Sequence, residues 1–307
     1  MSAIVNRWCA VGLVVGVDVG GTATKAVLVD GDRVLAHASK PTPKPGPDVV
    51  PEVVDLVADL VAELDPAGTA DVGVVVPGIV DEARGVAVWS ENLGWLDVPF
   101  AALLTDRLGR ATGFGHDVRA GGLAESTAGG GRGARDSLFL PIGTGIAAAL
   151  VLGGRVHDAG GYAGEIGHVD VGHGEPCACG RHGCLEAIAS ASAIARRYAA
   201  RTGTPTEAVD VARLLAEQDA DARRVWDDAV QALAVALAWT ASVLAPEVVV
   251  VGGGLSAAGD LLLRPLDEAL RERLTFQRRP RLVAAELGGL AGCRGAALLA
   301  AKRSASC

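Results

Sequence analysis

Two segments far apart in the chain carry the same design, and that repetition constrains the fold more than any single motif. Residues 16–30, GVDVGGTATKAVLVD, and residues 139–152, FLPIGTGIAAALVL, each read as a strand, a glycine turn and a second strand. Alternating strand and helix patterns follow both. Residues 51–64 place apolar side chains at helical spacing, with Glu and Asp on the other face. DVGVVVPGIV (71–80) is a buried strand ending at Pro77-Gly78, and residues 186–242 are mostly helical. PEVVVVGGGLSAAGDLLLRPLDEAL (246–270) gives a buried strand, a triple glycine and a helix, and GCRGAALLAAKR (292–303) a last short helix. LAHASKPTPKPGPD (35–48) reads as a Pro/Lys-rich connection. The pattern predicts a duplicated α/β layout in two lobes, with a cleft between them for a ligand.

Bulk properties narrow the function. A length of 307 residues suggests two domains, and 50% hydrophobic residues suffice for sizeable cores. A net charge of −8 argues against a phosphate-backbone binder, so no nucleic-acid partner is expected. No stretch has the roughly 18 uncharged apolar residues of a membrane span. The opening run MSAIVNRWCAVGLVVGVDVGG leads straight into the glycine motif without a cleavage site, and so reads as a first strand and not a signal peptide. A soluble, cytoplasmic protein with no membrane partner is expected.

Three glycine turns are candidate phosphate cradles. In DVGGTATK, Gly20 and Gly21 let backbone N–H groups approach an anion, Thr22 and Thr24 add hydroxyl donors, and Lys25 adds charge. Asp18 can hold Mg²⁺ through water, since that ion prefers a few carboxylates plus substrate phosphate. Gly143, Thr144 and Gly145 form a second turn, and Gly252, Gly253 and Gly254 a third. An ordinary hairpin could use any one of these motifs, but three in one α/β chain favour a nucleotide. Neither GxxxxGK[ST] nor GxGxxG occurs as a strand-to-helix fingerprint, which sets aside P-loop and Rossmann readings.

Of the six cysteines, Cys9, Cys293 and Cys307 are scattered, whereas Cys177, Cys179 and Cys184 fall within eight residues. Such a cluster favours metal over a disulfide framework. A nearby histidine would complete a tetrahedral zinc site, and His168, His173 and His182 are the candidates, His182 being awkwardly placed inside the tight loop.

DVGGTATK, GTG and VVVVGGG resemble, in this order, the two phosphate motifs and the adenosine motif of the sugar kinase/actin-like ATPase superfamily, and in particular the ROK family of sugar kinases and repressors. The resemblance runs from about Val14 to Leu299. It implies a two-lobed actin-like (ribonuclease H-like) α/β fold with a central cleft. The small lobe would take residues 1–118 and 292–307, and the larger one residues 119–291 with the zinc loop. GEIGH followed by CACGRHGCLE is similar to the family signature. That likeness makes His168, Cys177, Cys179 and Cys184 the ligands of a structural Zn²⁺. His168 would also reach a sugar through its other ring nitrogen, and Glu165 and Glu186 would accept from sugar hydroxyls. Gly78 corresponds to a backbone contact with the sugar, and WSENLGWLD (89–97) resembles a sugar-contacting segment that nominates Asn92.

In GHDVRAGGLAE, Asp117 aligns with the family's catalytic base and Glu125 with a glutamate of the helix that follows. Asp117 could equally cap a helix from about Val118 to Thr127. A His116–Asp117 relay is disfavoured, because neighbours on a strand point to opposite faces. His116 stands where the family has a sugar-binding Asn, and Val118-Arg119 where Ala-Asn is common.

The resemblance implies an ATP- and Mg²⁺-dependent kinase that transfers the γ-phosphate to the 6-hydroxyl of glucose or a glucose-like hexose, in a homodimer. His116 raises two other acceptors: an amino sugar of the kanosamine, N-acetylmannosamine or N-acetylglucosamine type, or a C7-cyclitol. A non-catalytic sugar-sensing regulator is the remaining alternative, and Asp18 leaves no room before it for a DNA-binding segment.

Overall fold

The computed structural model describes residues 12–304; the opening run up to residue 11, with Cys9, and Cys307 lie outside them. The chain falls into two compact units. The first takes the described residues through Ala128, Gly154–Ala163 and those from Gly289 on, and the second Gly129–Gly153 and Gly164–Gly288.

The first unit is built on Leu13–Val19 (β1), Ala23–Asp30 (β2), Arg33–Pro41 (β3), Asp71–Val76 (β4) and Thr112–His116 (β8), in the order β3-β2-β1-β4-β8. β1, β2 and β3 pair antiparallel, and β4 and β8 extend the sheet in parallel from β1. β3 corrects the reading of its residues as a connection: the prolines and lysine mask an edge strand with alternating half-buried positions. Val49–Leu64 (α1) and Phe100–Leu108 (α2) cover one face, packing Val53, Val57, Leu60 and Leu104 against Val15, Val17 and Val74. Three short strands, Ile79–Asp81 (β5), Val86–Ser90 (β6) and Trp95–Val98 (β7), form a separate sheet. Asp117–Ala128 (α3) leaves the end of β8, and Arg155–His157 (β11) lies against it.

The other face is closed by Ala291–Ser304 (α9). Register places Gly16, Gly73 and Gly113 side by side across β1, β4 and β8, a row of glycines under this helix. A Cβ on Gly16 would lie 2.0 Å from Cys293 O, one on Gly73 1.9 Å from Ala296 O, and one on Gly113 2.7 Å from Ala300 N. Helix backbone therefore rests on sheet backbone. Gly73→Ala should lower unfolding stability by about 3 kcal/mol, the upper end of ordinary overpacking, read as a lower urea midpoint. An unchanged midpoint would show that the helix is not seated on this row.

The second unit repeats the plan. Ser137–Pro141 (β9) pairs antiparallel with Ala149–Leu152 (β10) and parallel with Val248–Gly252 (β12), which pairs with Arg281–Ala284 (β13). Leu185–Ala189 (α4), Ala191–Thr202 (α5), Ala208–Ala216 (α6), Ala220–Leu244 (α7) and Asp260–Arg273 (α8) supply the helices. Ser190 and Asp219 cap α5 and α7 by accepting the N–H groups of Ala193 and Ala222. By length and composition α7 is apolar enough to cross a membrane, although Asp227 and Asp228 keep it from being the uncharged apolar stretch that the sequence reading found missing. Its Val225, Trp226, Leu233 and Leu237 are buried with Leu138, Leu140 and Val251, as in a core helix.

Candidate active site

In the first unit, parallel register brings two carboxylates to the same edge of one sheet. Asp18 lies next to the end of β1 and pairs with Val75, while Asp117 follows the last residue of β8, His116, which pairs with Val76. The carboxyl ends of parallel strands are where open α/β sheets bind ligands. Asp18 faces α9 so closely that a Cβ on Gly292 would lie 2.3 Å from its Oδ2. Burial raises its pKa to about 6 against the pull of Lys25. Asp117 is raised to about 8, first by burial and then by the charge of Asp18, with the Val118 N–H and Arg119 opposing.

The β1–β2 turn is laced from an unexpected quarter. Thr42 Oγ1 donates to Gly20 O at 2.7 Å, and Thr42 N–H donates to Thr22 O at 3.0 Å. Thr24 is fully buried with its hydroxyl 2.9 Å from Thr42 Oγ1. This corrects its reading as a phosphate donor: it points into the unit and braces the loop. Gly21 and Thr22 are exposed at the tip, and Lys25 Nζ reaches Gly289 O at 3.3 Å. In the sequence Thr42 lies among prolines and lysines, with no motif spacing to mark it.

Asn92, exposed in the β6–β7 turn, comes to the same edge: its Cβ would lie 3.9 Å from a Cβ on Gly21. Gly78 adopts φ +99°, and any Cβ there would fall 2.1 Å from Trp89 O, so the turn after β4 requires glycine. Glu125 is fully buried in α3.

The start of α3 corrects two expectations. His116, not Asp117, caps the helix: its Nδ1 accepts from Arg119 N–H at 3.3 Å. His116 and Asp117 also meet, with Nε2 3.3 Å from Oδ1. Strand alternation does not separate them, because the strand ends at His116 and the helix begins at Asp117. Burial, followed by the Arg119 charge, pushes His116 down to about 3, so the ring is neutral.

In the second unit the other two glycine turns interlock. Gly253 adopts φ +75°, where a Cβ would lie 2.4 Å from Ile142 O, and Leu255 N–H donates to that oxygen at 3.1 Å. Gly252 packs on the Phe139 ring, Gly254 is open, and Thr144 is exposed at the tip of the Gly143–Gly145 turn. Beside Gly254 and Leu255 lies a cavity of about 390 Å³, walled by Ala191, Ala208, Ala212 and Ala258, with Glu207 and Arg213 among its lining. Its size and apolar walls suit a flat heterocycle. The α6 residues carry no sequence motif that marks them for such a role.

Glu186 sits under the second turn, its Oε2 accepting from Ile146 N–H at 2.9 Å. A Cβ on Gly145 would strike that oxygen at 2.5 Å. Glu165 and His168 lie on a segment pinned to the same strand region. Ala148 N–H donates to Gly164 O at 2.8 Å, and Gly167 has no room for a Cβ beside Ile146 O.

The ligand atoms of His168, Cys177, Cys179 and Cys184 all lie within 4.8 Å of one another. Cys179 and Cys184 Sγ are 3.7 Å apart, and Cys177 Sγ is 3.8 Å from His168 Nδ1. Tetrahedral zinc with Zn–S bonds of about 2.3 Å has S···S edges near 3.8 Å, so this donor set fits that ion. Nδ1 faces the cluster and Nε2 is the ring's other nitrogen. His173 is turned elsewhere, accepting from Glu175 N–H, and His182 pairs with Pro176; neither joins the cluster.

Comparison with known proteins agrees with this geometry. The profile of the ROK family matches residues 14–303. A glucokinase from Halalkalibacterium halodurans is 35% identical over 214 residues, spanning 64% of this chain and 65% of that one. The glucokinase of Thermotoga maritima is 33% identical over 94% of this chain and 97% of its own. Among solved structures, a ROK family glucokinase from Streptomyces griseus in complex with glucose and AMPPNP superposes with a TM-score of 0.84 at 29% identity, covering 95% of this chain and 100% of that one. A match running from the first hairpin to the last helix settles the lineage: the chain belongs to the ROK family and has its actin-like α/β fold.

Proposed function

We propose that this protein is an ATP-dependent kinase that phosphorylates the 6-hydroxyl of glucose or a glucose-like hexose. The observation that carries the reading is Asp117, a carboxylate at the start of α3 on the sheet edge that also holds Asp18 and the exposed Gly21–Thr22 tip. Phosphoryl transfer needs positioning and charge stabilisation more than covalent help from the protein. Asp117 accepts the proton of the attacking hydroxyl as the oxygen–phosphorus bond forms and ADP leaves. Asp18 would hold Mg²⁺, which when bound neutralises charge building on the phosphates. The Gly20–Thr22 and Gly143–Gly145 turns offer backbone N–H groups to the phosphates, and the cavity beside Gly254 takes the base. Gly78, Asn92, Glu165, Glu186 and His168 bind the sugar. His168, Cys177, Cys179 and Cys184 would hold Zn²⁺, which when bound would keep the loop between Glu165 and Glu186 rigid.

The same proposal places the enzyme in the cytoplasm as a homodimer; Trp239, Val243 and Phe276 are exposed apolar residues that such an interface would cover.

ADP release should depend on a hexose when the purified protein is given ATP and Mg²⁺ with glucose, amino sugars or cyclitols in parallel. The product from glucose should be glucose 6-phosphate by ³¹P and ¹³C NMR. ADP release that no sugar or cyclitol accelerates would defeat the reading. Faster turnover of an amino sugar or cyclitol would reassign the acceptor and keep the chemistry.

A further inference from the structure

His116 is held from three sides. Its Nδ1 accepts from Arg119 N–H, and its own N–H donates to Glu82 Oε1 at 3.3 Å. The same Glu82 oxygen accepts from Arg119 Nε at 2.8 Å. Arg119, only 2% exposed, spends the rest of its guanidinium on Val80 O at 2.8 Å and Gly161 O at 3.3 Å. A neutral imidazole that accepts at Nδ1 carries its proton on Nε2. That nitrogen lies 3.3 Å from Asp117 Oδ1, the oxygen that also accepts from Val118 N–H at 2.6 Å. Both approaches fall on Oδ1, and Oδ2 carries neither. The two ring nitrogens are thus both engaged within the protein.

We propose that His116, fixed by Arg119 and Glu82, is a positioning residue for Asp117: its Nε2–H turns the carboxylate so that Oδ2 meets the substrate hydroxyl, and His116 itself makes no sugar contact. This rests on the kinase reading above. It also gives Arg119 and Glu82 a part in the reaction. Arg119 ties the base to Val80, two residues beyond Gly78, so the base and the proposed backbone contact with the sugar move as one piece. Orientation of this kind affects the rate strongly, since a misplacement of about 1 Å can lower it on the order of a hundredfold.

His116→Asn and His116→Gln test the proposal. Asparagine is among the best helix caps, so the start of α3 survives, but its amide stops short of Asp117. Glutamine reaches about as far as Nε2. With ATP, Mg²⁺ and glucose, His116→Asn should lower kcat by about tenfold or more while the sugar KM moves less than about twofold. His116→Gln should recover most of the loss. A raised KM at unchanged kcat would make His116 a sugar contact and overturn the proposal, as would wild-type values for both. A readout free of turnover separates this from the kinase reading: long-range ¹H–¹⁵N spectra should show His116 neutral and protonated on Nε2, with that signal shifted by Asp117→Asn. A ring protonated on Nδ1, or a signal blind to Asp117, would overturn the inference even in an active enzyme. If no sugar is turned over, the kinase reading falls and the spectra still decide the contact.

Discussion

Asp117→Asn should lower kcat by about 10²- to 10⁴-fold, the range a positioned general base contributes, with the sugar KM changed less than about threefold. Asparagine keeps the shape and a carbonyl for the Val118 N–H but cannot take a proton. Burial and Asp18 hold the Asp117 pKa at about 8, so in the free enzyme kcat/KM should climb with pH through that region as the base ionises. The same shift has a signed effect on stability. The ordinary carboxyl value is 3.8, so between about pH 4 and pH 8 the folded chain holds a proton that the unfolded chain has lost. Stability contributed by this group is full below pH 4 and is lost as pH rises toward 8. Asp117→Asn, which never ionises, should therefore melt higher than the wild type at pH 8 and alike at pH 4. Turnover within threefold of wild type would remove Asp117 from the role of base. Melting curves that coincide at pH 8 would show that its ionisation costs the fold nothing.

Loss of the zinc proposed on His168, Cys177, Cys179 and Cys184 should produce the second large effect. Cys179 is the most exposed of the three thiols, so Cys179→Ser leaves packing intact and removes one ligand. A structural zinc contributes its binding energy to the folded state, and removing a few kcal/mol from a unit of this size lowers Tm by about 10 °C. Sugar affinity should fall about tenfold or more, within the range for disturbed metal surroundings, because Glu165 and Glu186 border the loop. A chelator should lower the wild-type melt in the same way and leave the variant unmoved. Wild-type protein that contains no zinc by elemental analysis and melts alike with and without chelator would refute the assignment.

The elements most legible in the sequence are those whose signal is local. The glycine turns after β1 and β9 stand out because alternating valines and leucines flank them, and the cysteine cluster because its spacing leaves little room for another use. β3 was hidden because proline and lysine argue against strand, yet an edge position tolerates both. What register creates could not be read. Gly16, Gly73 and Gly113 look like unrelated glycines until the strands are paired. Thr42 and Glu82 acquire meaning only from where the fold carries them. The His116–Asp117 contact is hidden for a related reason: side chains alternate between faces inside a strand but not at the residue where strand becomes helix.

The glycine row has a consequence for synthesis. A ribosome delivers α9 only after every strand that it covers, and after the whole of the second unit. Until then the nascent first unit has a sheet face whose middle is bare peptide backbone, without side chains to shield it, and Asp18 has no Gly292 against it. Chaperone contact with this half of the protein should therefore last until the final helix emerges.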